Sequence, residues 1–401
     1  MPFESSPGLG HYARFSRGWI GGGLWAVLTL LCACGEVDRD PAGLTFSGAP
    51  WGVGSGVTKN PDLLAGWQRG INLGNALDAP SEGEWGVVLG ENHFRFVAEA
   101  GFDHIRLPVR FSAHTGGSAG YAIDEGFLRR VDWAIDQALK RNLGVLLDFH
   151  HYVELMENPE GQQERFLALW RQISSRYRNA SSKLAFDLLN EPNGQMTDGR
   201  WNQLLARVIA AVRVDNPTRL LVIEGVSWAS PYSLSLLELP TPAADPNIVG
   251  SFHFYTPILF THQGAFFMSP EYGTTGVVFP GPPSAPLNPV AAAQKVDWVR
   301  NWFAAYNTSL ALDNPSGPRA LQDDFAHVDA FLKRGIPLYL GEFAAIDRAD
   351  PGSRARWIRA VRTEAERRGI GWSYWDDGGV YQILEPASGQ WLQSIRDALL
   401  N

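Results

Sequence analysis

The chain has 401 residues, a formal charge of −8 and 45% apolar residues, among them 15 Trp, 21 Phe and 11 Tyr. That is length enough for one large domain with a full core, and the surplus of acid excludes a surface built to neutralise the phosphates of nucleic acid or of an anionic membrane. A neutral polymer is a better partner, since sugar rings offer apolar C–H faces to aromatic side chains, although most of the aromatic residues belong in a core.

Arg14 and Arg17 precede a run from Trp19 to Leu31 that is apolar or glycine apart from Thr29. It is too short to span a bilayer and has the shape of the core of an export signal. Cys32 and Cys34 close this run, and Leu31-Cys32-Ala33-Cys34 resembles a bacterial lipoprotein signal. Residues 1–33 therefore read as a signal segment and Cys34 as a lipidation site. The expected destination is the cell envelope, as an outer-membrane lipoprotein, with plain secretion as the alternative. Membrane contact is expected only through that lipid. Cleavage before Cys34 leaves no second cysteine for an internal disulfide. Residues 34–62, rich in Gly, Pro, Ser and Asp without a periodic apolar face, read as a linker.

The folded domain is expected over 63–401. Eight short apolar runs follow in order: Gly70–Leu73, His104–Leu107, Leu143–Phe149, Leu184–Leu189, Leu220–Ile223, Ile248–Phe254, Pro337–Leu340 and Gly371–Trp375. Between them Phe127–Leu139, Glu164–Tyr177, Trp201–Val212 and Arg354–Arg367 carry apolar residues three and four apart, the pattern of amphipathic helices. Strands alternating with helices imply a parallel α/β structure, and eight of them favour a closed (β/α)8 TIM barrel as a single catalytic domain. The stretch 264–321, dense in Gly, Pro and Ser, reads as a long irregular connection, either a cleft wall or a surface insertion. Trp391–Leu400 reads as the last helix.

In such a barrel the residues just past the C-terminal strand ends converge on one mouth. Here the runs end on Asn72 and Asn75, Arg106, His150-His151, Asn190-Glu191, Glu224 with Trp228 beyond it, His253 with Tyr255, Glu342, and Trp375-Asp376. Any one glutamate after a strand is more often a solvated loop acid than a catalyst. Polar endings on all eight runs point instead to a built site, and two glutamates on one rim are the pair that glycoside hydrolysis uses.

At this point the chain resembles the glycoside hydrolase family 5 cellulases, in the branch of broad-specificity endoglucanases. The matching words are Arg106-Leu107-Pro108, Asp148-Phe149-His150-His151, Asn190-Glu191-Pro192, His253-Phe254-Tyr255, Gly341-Glu342-Phe343 and Trp372-Ser373-Tyr374-Trp375. Gly70-Ile71-Asn72-Leu73-Gly74-Asn75-Ala76-Leu77-Asp78 and Phe260-Thr261-His262-Gln263-Gly264-Ala265 agree with that branch. The resemblance implies Glu191 as general acid/base and Glu342 as nucleophile, with retention of configuration. It places Arg106 beside Glu342, where it supplies charge-assisted hydrogen bonds. Asn190 is implied to bind the 2-hydroxyl of the sugar under attack and Tyr255 to hold the nucleophile. His253 and His150 are implied to orient acid and sugar, and Trp375 to form a stacking floor. His151, Asn75 and Asp78 are expected to line the non-reducing side of the cleft and Trp228 the other.

The expected substrate is a β-1,4-glucan, or β-mannan on the same scaffold, and a monomer without cofactor is expected. A transglycosylase would share every catalytic residue, and a glycan-binding protein that has lost turnover is the rival of another class. His150-His151 suggests a metal pair, but adjacent residues on a strand point to opposite faces, so no metal is expected. A serine hydrolase is excluded because no Gly-x-Ser-x-Gly word follows any of the runs.

Overall fold

The computed structural model describes residues 64–117 and 120–401. The signal segment, the linker and Cys34 lie outside the described residues. All eight apolar runs form strands: β1 Arg69–Leu73, β2 His104–Val109, β3 Gly144–Phe149, β4 Leu184–Asp187, β5 Leu221–Glu224, β6 Ile248–His253, β7 Leu338–Glu342 and β8 Gly371–Asp376. They pair in parallel in chain order, and β1 closes on β8, so the sheet is a closed barrel.

Alternation along each strand divides the residues between two environments. Ile71, Ile105, Leu107, Val145, Leu147, Phe186 and Ile223 pack outward into the core shared with the helices. The other set fills the barrel. Its lower part is a separate apolar cluster that includes Trp67, Leu146, Ala185, Val222, Val249 and Tyr339. One step nearer the C-terminal ends the filling turns polar: Asn72, Arg106, Asp148, Asp187, Glu224, Ser251 and Ser373 are all buried. Charged groups are almost never fully buried unless they are paired, so this layer belongs to the site above it.

The outer helices are α1 Glu91–Ala100, α2 Glu125–Leu139, α3 Pro159–Arg176, α4 Asp198–Asp215, α5 Asp297–Thr308, α6 Pro318–Leu332, α7 Pro351–Arg367 and α8 Gln393–Leu400. The four helices read from periodicity each begin earlier than the apolar pattern. Asp124, Asn158, Thr197 and Asp350 accept a backbone N–H of the first turn as N-caps, with Pro159 and Pro351 at the start of α3 and α7. First turns made of capping and polar residues do not advertise themselves as an apolar stripe. Trp391 does not begin the last helix: Gln390–Trp391 pairs antiparallel with Leu384–Glu385, and its indole stacks on Phe102 at 5.7 Å.

The stretch 264–321 is not irregular throughout. It contains α5, whose buried stripe is Val299, Phe303 and Tyr306, and the start of α6, which buries Leu321, Phe325 and Val328. The connection from β5 to β6, by contrast, holds only the turns Val226–Ala229 and Pro231–Leu236. There Ser227, Trp228 and Ala229 take the left-handed region with φ of 56, 56 and 52°.

Candidate active site

Arg106 organises the mouth of the barrel. Its Nε donates to Asp187 Oδ2 at 3.0 Å, Nη1 to Asn72 Oδ1 at 3.1 Å and to Glu342 Oε1 at 2.8 Å, and Nη2 to Asn190 Oδ1 at 2.8 Å and Glu224 Oε1 at 3.0 Å. Asp148 Oδ2 lies 3.2 Å from Nη2. Burial opposes its charge, but Asp148, Asp187, Glu224 and Glu342 outweigh that and raise its proton affinity further. One guanidinium cannot balance four buried carboxylates. Burial, with the repulsion of neighbouring carboxylates, pushes Asp148 and Asp187 well above the usual range.

The second cation is His253. Burial disfavours its charge, yet Glu224 and Glu342 raise it well above an ordinary histidine. Its Nδ1 is 2.9 Å from Glu191 Oε1 and 3.6 Å from Glu342 Oε2, and its Nε2 is 2.9 Å from Glu224 Oε1. Gly341 makes room for the ring. The β6–β7 register slips between Phe252 and His253, and a Cβ on Gly341 would stand 2.8 Å from His253 Nε2 and 3.1 Å from Ser251 Oγ. The extra residue on β7 aims Glu342 into the mouth, as bulges near active sites do.

Glu191 follows β4 with φ at 48°, a left-handed conformation that a glutamate adopts only under constraint. The constraint is visible: its N–H donates to Glu224 Oε2 at 2.6 Å, and Asn190 N–H donates to Phe149 O at 3.0 Å. From outside, Trp170 Nε1 on α3 donates to Leu188 O at 3.0 Å and Trp201 Nε1 on α4 to Glu224 O at 2.8 Å. Burial drives the Glu191 carboxyl up to about 7 against the pull of His253, and Glu342 adds to the rise. For Glu224, burial is overcome by His253, Arg106 and the Glu191 N–H, which hold it down at about 2. Tyr255 donates its hydroxyl to Glu342 Oε2 at 2.9 Å. Glu191, Glu342 and His253 each present an atom within 4.8 Å of the other two, so the two glutamates face each other across one small gap.

On one flank His150 bonds Asp148 through Nδ1 and stacks on Trp375, with centroids 5.7 Å apart and planes 9° from parallel. Burial lowers His150 to about 3, so it is neutral. β3 ends at Phe149 and His151 has a φ of 52°, so strand alternation does not separate the two imidazoles: their centroids are 4.2 Å apart. Asp78, His150 and His151 bring ligand-type atoms within 4.8 Å of one another and could hold a divalent ion, which corrects the argument from opposite faces. Glu191, His253 and Glu342 also bring such atoms within 4.8 Å of one another, with the imidazole held between the two acids. Asp78 does not line the cleft. It is fully buried and accepts the N–H groups of Asn75 and Ala76 at 3.1 and 2.8 Å, which fixes the turn carrying Asn75. Trp85, not singled out in the sequence, meets the edge of His151 at 5.5 Å.

On the other flank opens a cleft of about 650 Å³ that begins at Glu191, His253 and Tyr255 and runs past Trp228 to Trp298 and Trp302. Sequence reasoning missed Asp148 and Asp187 as site members, along with Trp298 and Trp302, and gave Glu224 a place among the strand endings but no role. Asp148 and Asp187 did leave a signal, because each sits inside an apolar run, where a buried carboxylate needs a partner. The two tryptophans stand four apart, but in a stretch read as irregular.

A closed eight-stranded parallel barrel with two carboxyls facing each other at its C-terminal mouth is a geometry suited to glycoside hydrolysis. The chain belongs to the cellulase family, glycosyl hydrolase family 5, whose model matches residues 74–379. It is 32% identical over 311 residues to endoglucanase H of Acetivibrio thermocellus, which is 77% of this chain and 29% of that protein, so the chain spans less than a third of that relative. It is 31% identical over 331 residues to endoglucanase C of the same organism, covering 78% of this chain and 92% of the relative. Among solved structures, Cel5A of Thermotoga maritima in complex with cellobiose superposes with a TM-score of 0.74 at 33% identity, covering 85% of this chain and 100% of that one. The same enzyme with mannotriose gives 0.73 at 32% identity, with 85% and 100% covered.

Proposed function

We propose that the protein is a retaining endo-β-1,4-glucanase, with Glu191 as acid/base and Glu342 as nucleophile. The observation that carries this reading is the Glu191–Glu342 gap of at most 4.8 Å between carboxyl oxygens. Retaining enzymes need their carboxyls about 5–5.5 Å apart, whereas inverting ones leave about 6.5–9.5 Å for a water.

The charges follow the same assignment. Glu191, raised to about 7, keeps its proton at mildly acidic pH, and because Oε1 is engaged by His253, Oε2 is the oxygen that presents it. As that proton passes to the glycosidic oxygen, a Glu342 oxygen bonds to the anomeric carbon and the C–O bond to the leaving sugar breaks. Arg106 and Tyr255 hold Glu342 in line for the attack. Esterified Glu342 carries no charge, so the repulsion that helped keep Glu191 protonated is gone. Glu191 then takes a proton from water as its oxygen attacks the same carbon and releases Glu342. Asn190 gives its Oδ1 to Arg106, which leaves the amide Nδ2 as the donor for the sugar 2-hydroxyl.

β-Glucan is proposed first because the relatives are endoglucanases. β-Mannan is kept as a second substrate because a neighbour of the same fold is described with mannotriose. A panel of carboxymethylcellulose, mixed-linkage β-glucan, glucomannan and mannan, with product sizing over time, tests the reading. Internal cuts in β-glucan by the wild type, abolished in Glu342→Ala, are expected. A wild type inert on every β-glucan and β-mannan, yet retaining affinity for them, would make it a binding protein instead.

We further propose that the chain is exported and anchored through Cys34. Mass spectrometry of the mature N-terminus checks this: a diacylglyceryl cysteine is expected, and a chain beginning elsewhere contradicts it.

A further inference from the structure

We infer that Asp78, His150 and His151 form a binding site for one divalent transition-metal ion of the zinc type, and that the bound ion inhibits by competing with the glycan. The site stands on the side chains alone, whereas the competition rests on the catalytic reading above.

The donors come from two strand ends. His150 and His151 follow β3, Asp78 lies in the turn after β1, and each offers a ligand atom within 4.8 Å of the other two. His151 Nε2 stands 3.9 Å from Asp78 Oδ2, and the two imidazoles meet edge to face with planes 81° apart. Zinc bonds of about 2.0–2.1 Å at the tetrahedral angle put ligand atoms about 3.3 Å apart, so this pair needs only to draw in slightly. His151 is the part free to do so, since its side chain is 38% exposed while that of Asp78 is fully buried. The same exposure gives an ion its way in.

Asp78 is an acid without a cation. Its two oxygens accept one backbone N–H each, from Ala76 and Asn75, and each keeps a lone pair. Among the described residues no basic side chain other than His151 lies within 4 Å of it. Fully buried carboxylates are ordinarily paired or bound to a metal. His150 is oriented from behind: its Nδ1 is bonded to Asp148, which leaves Nε2 as the free nitrogen. A carboxylate on the far nitrogen of a ligating imidazole fixes the ring and raises its basicity. Trp375 stacked on His150 and Trp85 against the edge of His151 confine the two rings further. The set of Glu191, His253 and Glu342 lacks this freedom, because both nitrogens of His253 already face carboxylates, Glu191 and Glu224, at 2.9 Å each.

The donor set selects the ion. Two imidazole nitrogens and one carboxylate oxygen with a fourth position open suit Zn²⁺, Cu²⁺ or Ni²⁺, whereas Ca²⁺ and Mg²⁺ take shells of about six or more ligands made of oxygen. The consequence for turnover follows from His150. Its ring lies parallel to Trp375, the proposed floor for the sugar, so an ion and a sugar compete for one imidazole. The ion is therefore an inhibitor and takes no part in the two-glutamate chemistry.

The test titrates zinc chloride into the full chain after chelator treatment and dialysis, with binding read by calorimetry and by elemental analysis. Expected is a zinc site that weakens at least tenfold in His151→Ala. Copper(II) in place of zinc provides a reading on the wild type itself, should the variant fail to fold: its electron-spin-echo modulation should report two imidazoles. Zinc bound equally by wild type and His151→Ala, or copper with no imidazole ligand, overturns the site. With cellopentaose, a neutral substrate, zinc should raise KM without changing kcat, with an inhibition constant equal to the calorimetric dissociation constant. A fall in kcat at constant KM overturns the competition. A wild type active on cellopentaose that binds no zinc sinks this inference alone, whereas one inert on it that binds zinc through His151 sinks the catalytic reading and leaves the site standing.

Discussion

Arg106 shows how far a single side chain can be committed. Four carboxylates and two amide oxygens converge on it, and only Glu342 and Asn190 among them reach the open mouth. Removing one member of such a buried network leaves uncompensated charge, at a cost of about 3–5 kcal/mol. Arg106→Ala should therefore lower the melting temperature markedly as well as abolish activity, while a wild-type melting temperature would show that the network carries little stability. Glu191 behaves differently, since its side chain reaches the cleft. Glu191→Gln should keep the fold and lose about 10²–10⁴ in kcat on an oligosaccharide, with a smaller loss on a dinitrophenyl glycoside whose leaving group needs no proton. The sign of the pH effect follows: the acid must be protonated, so wild-type activity falls as pH rises through about 7, and this limb should vanish from the profile of Glu191→Gln. Asn190, Glu191 and Glu342 were legible because each stands at the end of an apolar run. Glu224 was noticed as a strand ending only. Its hold on the Glu191 N–H and on His253 comes from three strands meeting in the closed barrel, and no one-dimensional spacing records that.

At the scale of elements, strands were read more faithfully than helices. A barrel strand is buried on both faces, so composition alone marks it, whereas α1 and the first turns of the other helices carry their information in caps and exposed residues. α5 was hidden for another reason: its buried stripe of Val299, Phe303 and Tyr306 is set off by exposed Asp297, Arg300 and Asn301, but it stands inside a stretch whose Gly, Pro and Ser content reads as irregular. The slip in the β6–β7 ladder is the element on which the site turns. A methyl group on Gly341 has to displace the His253 ring that sits between the two proposed catalytic acids. Gly341→Ala is predicted to cost about 1–3 kcal/mol through overpacking, to lower kcat, and to move the alkaline limb of the activity profile as His253 shifts against Glu191. An unaltered profile with reduced stability would mean that the bulge serves packing alone.

The molecule as a whole carries its functional charge arrangement as a pH-dependent stability. Asp78, Glu191 and Asp376 are all raised by burial from ordinary carboxylate values to about 7. Between those two values the folded protein binds more protons than the unfolded chain, so stability is fully present below about pH 4 and falls as pH rises toward 7. Glu224 works in the opposite sense, held at about 2, and its contribution is lost as pH falls from about 4.5 toward that value. Melting temperature should therefore be higher at pH 5 than at pH 8, and Glu191→Gln should flatten that slope. A protein more stable at pH 8 than at pH 5 would contradict the buried-acid picture. The barrel itself was legible at this scale from eight alternating runs, but the cleft beside Glu191 was not, because its wall depends on where a long connection folds back.

If Glu342 becomes covalently joined to sugar during turnover, the ester can be trapped. The protein should be inactivated by an activated 2-deoxy-2-fluoro-β-cellobioside, whose glycosyl-enzyme hydrolyses slowly, and then digested and mapped by mass spectrometry. One sugar ester on Glu342, absent from Glu342→Ala, is predicted. An ester on another residue, or turnover of the natural substrate with inverted anomeric configuration and no trapped ester, would contradict the account.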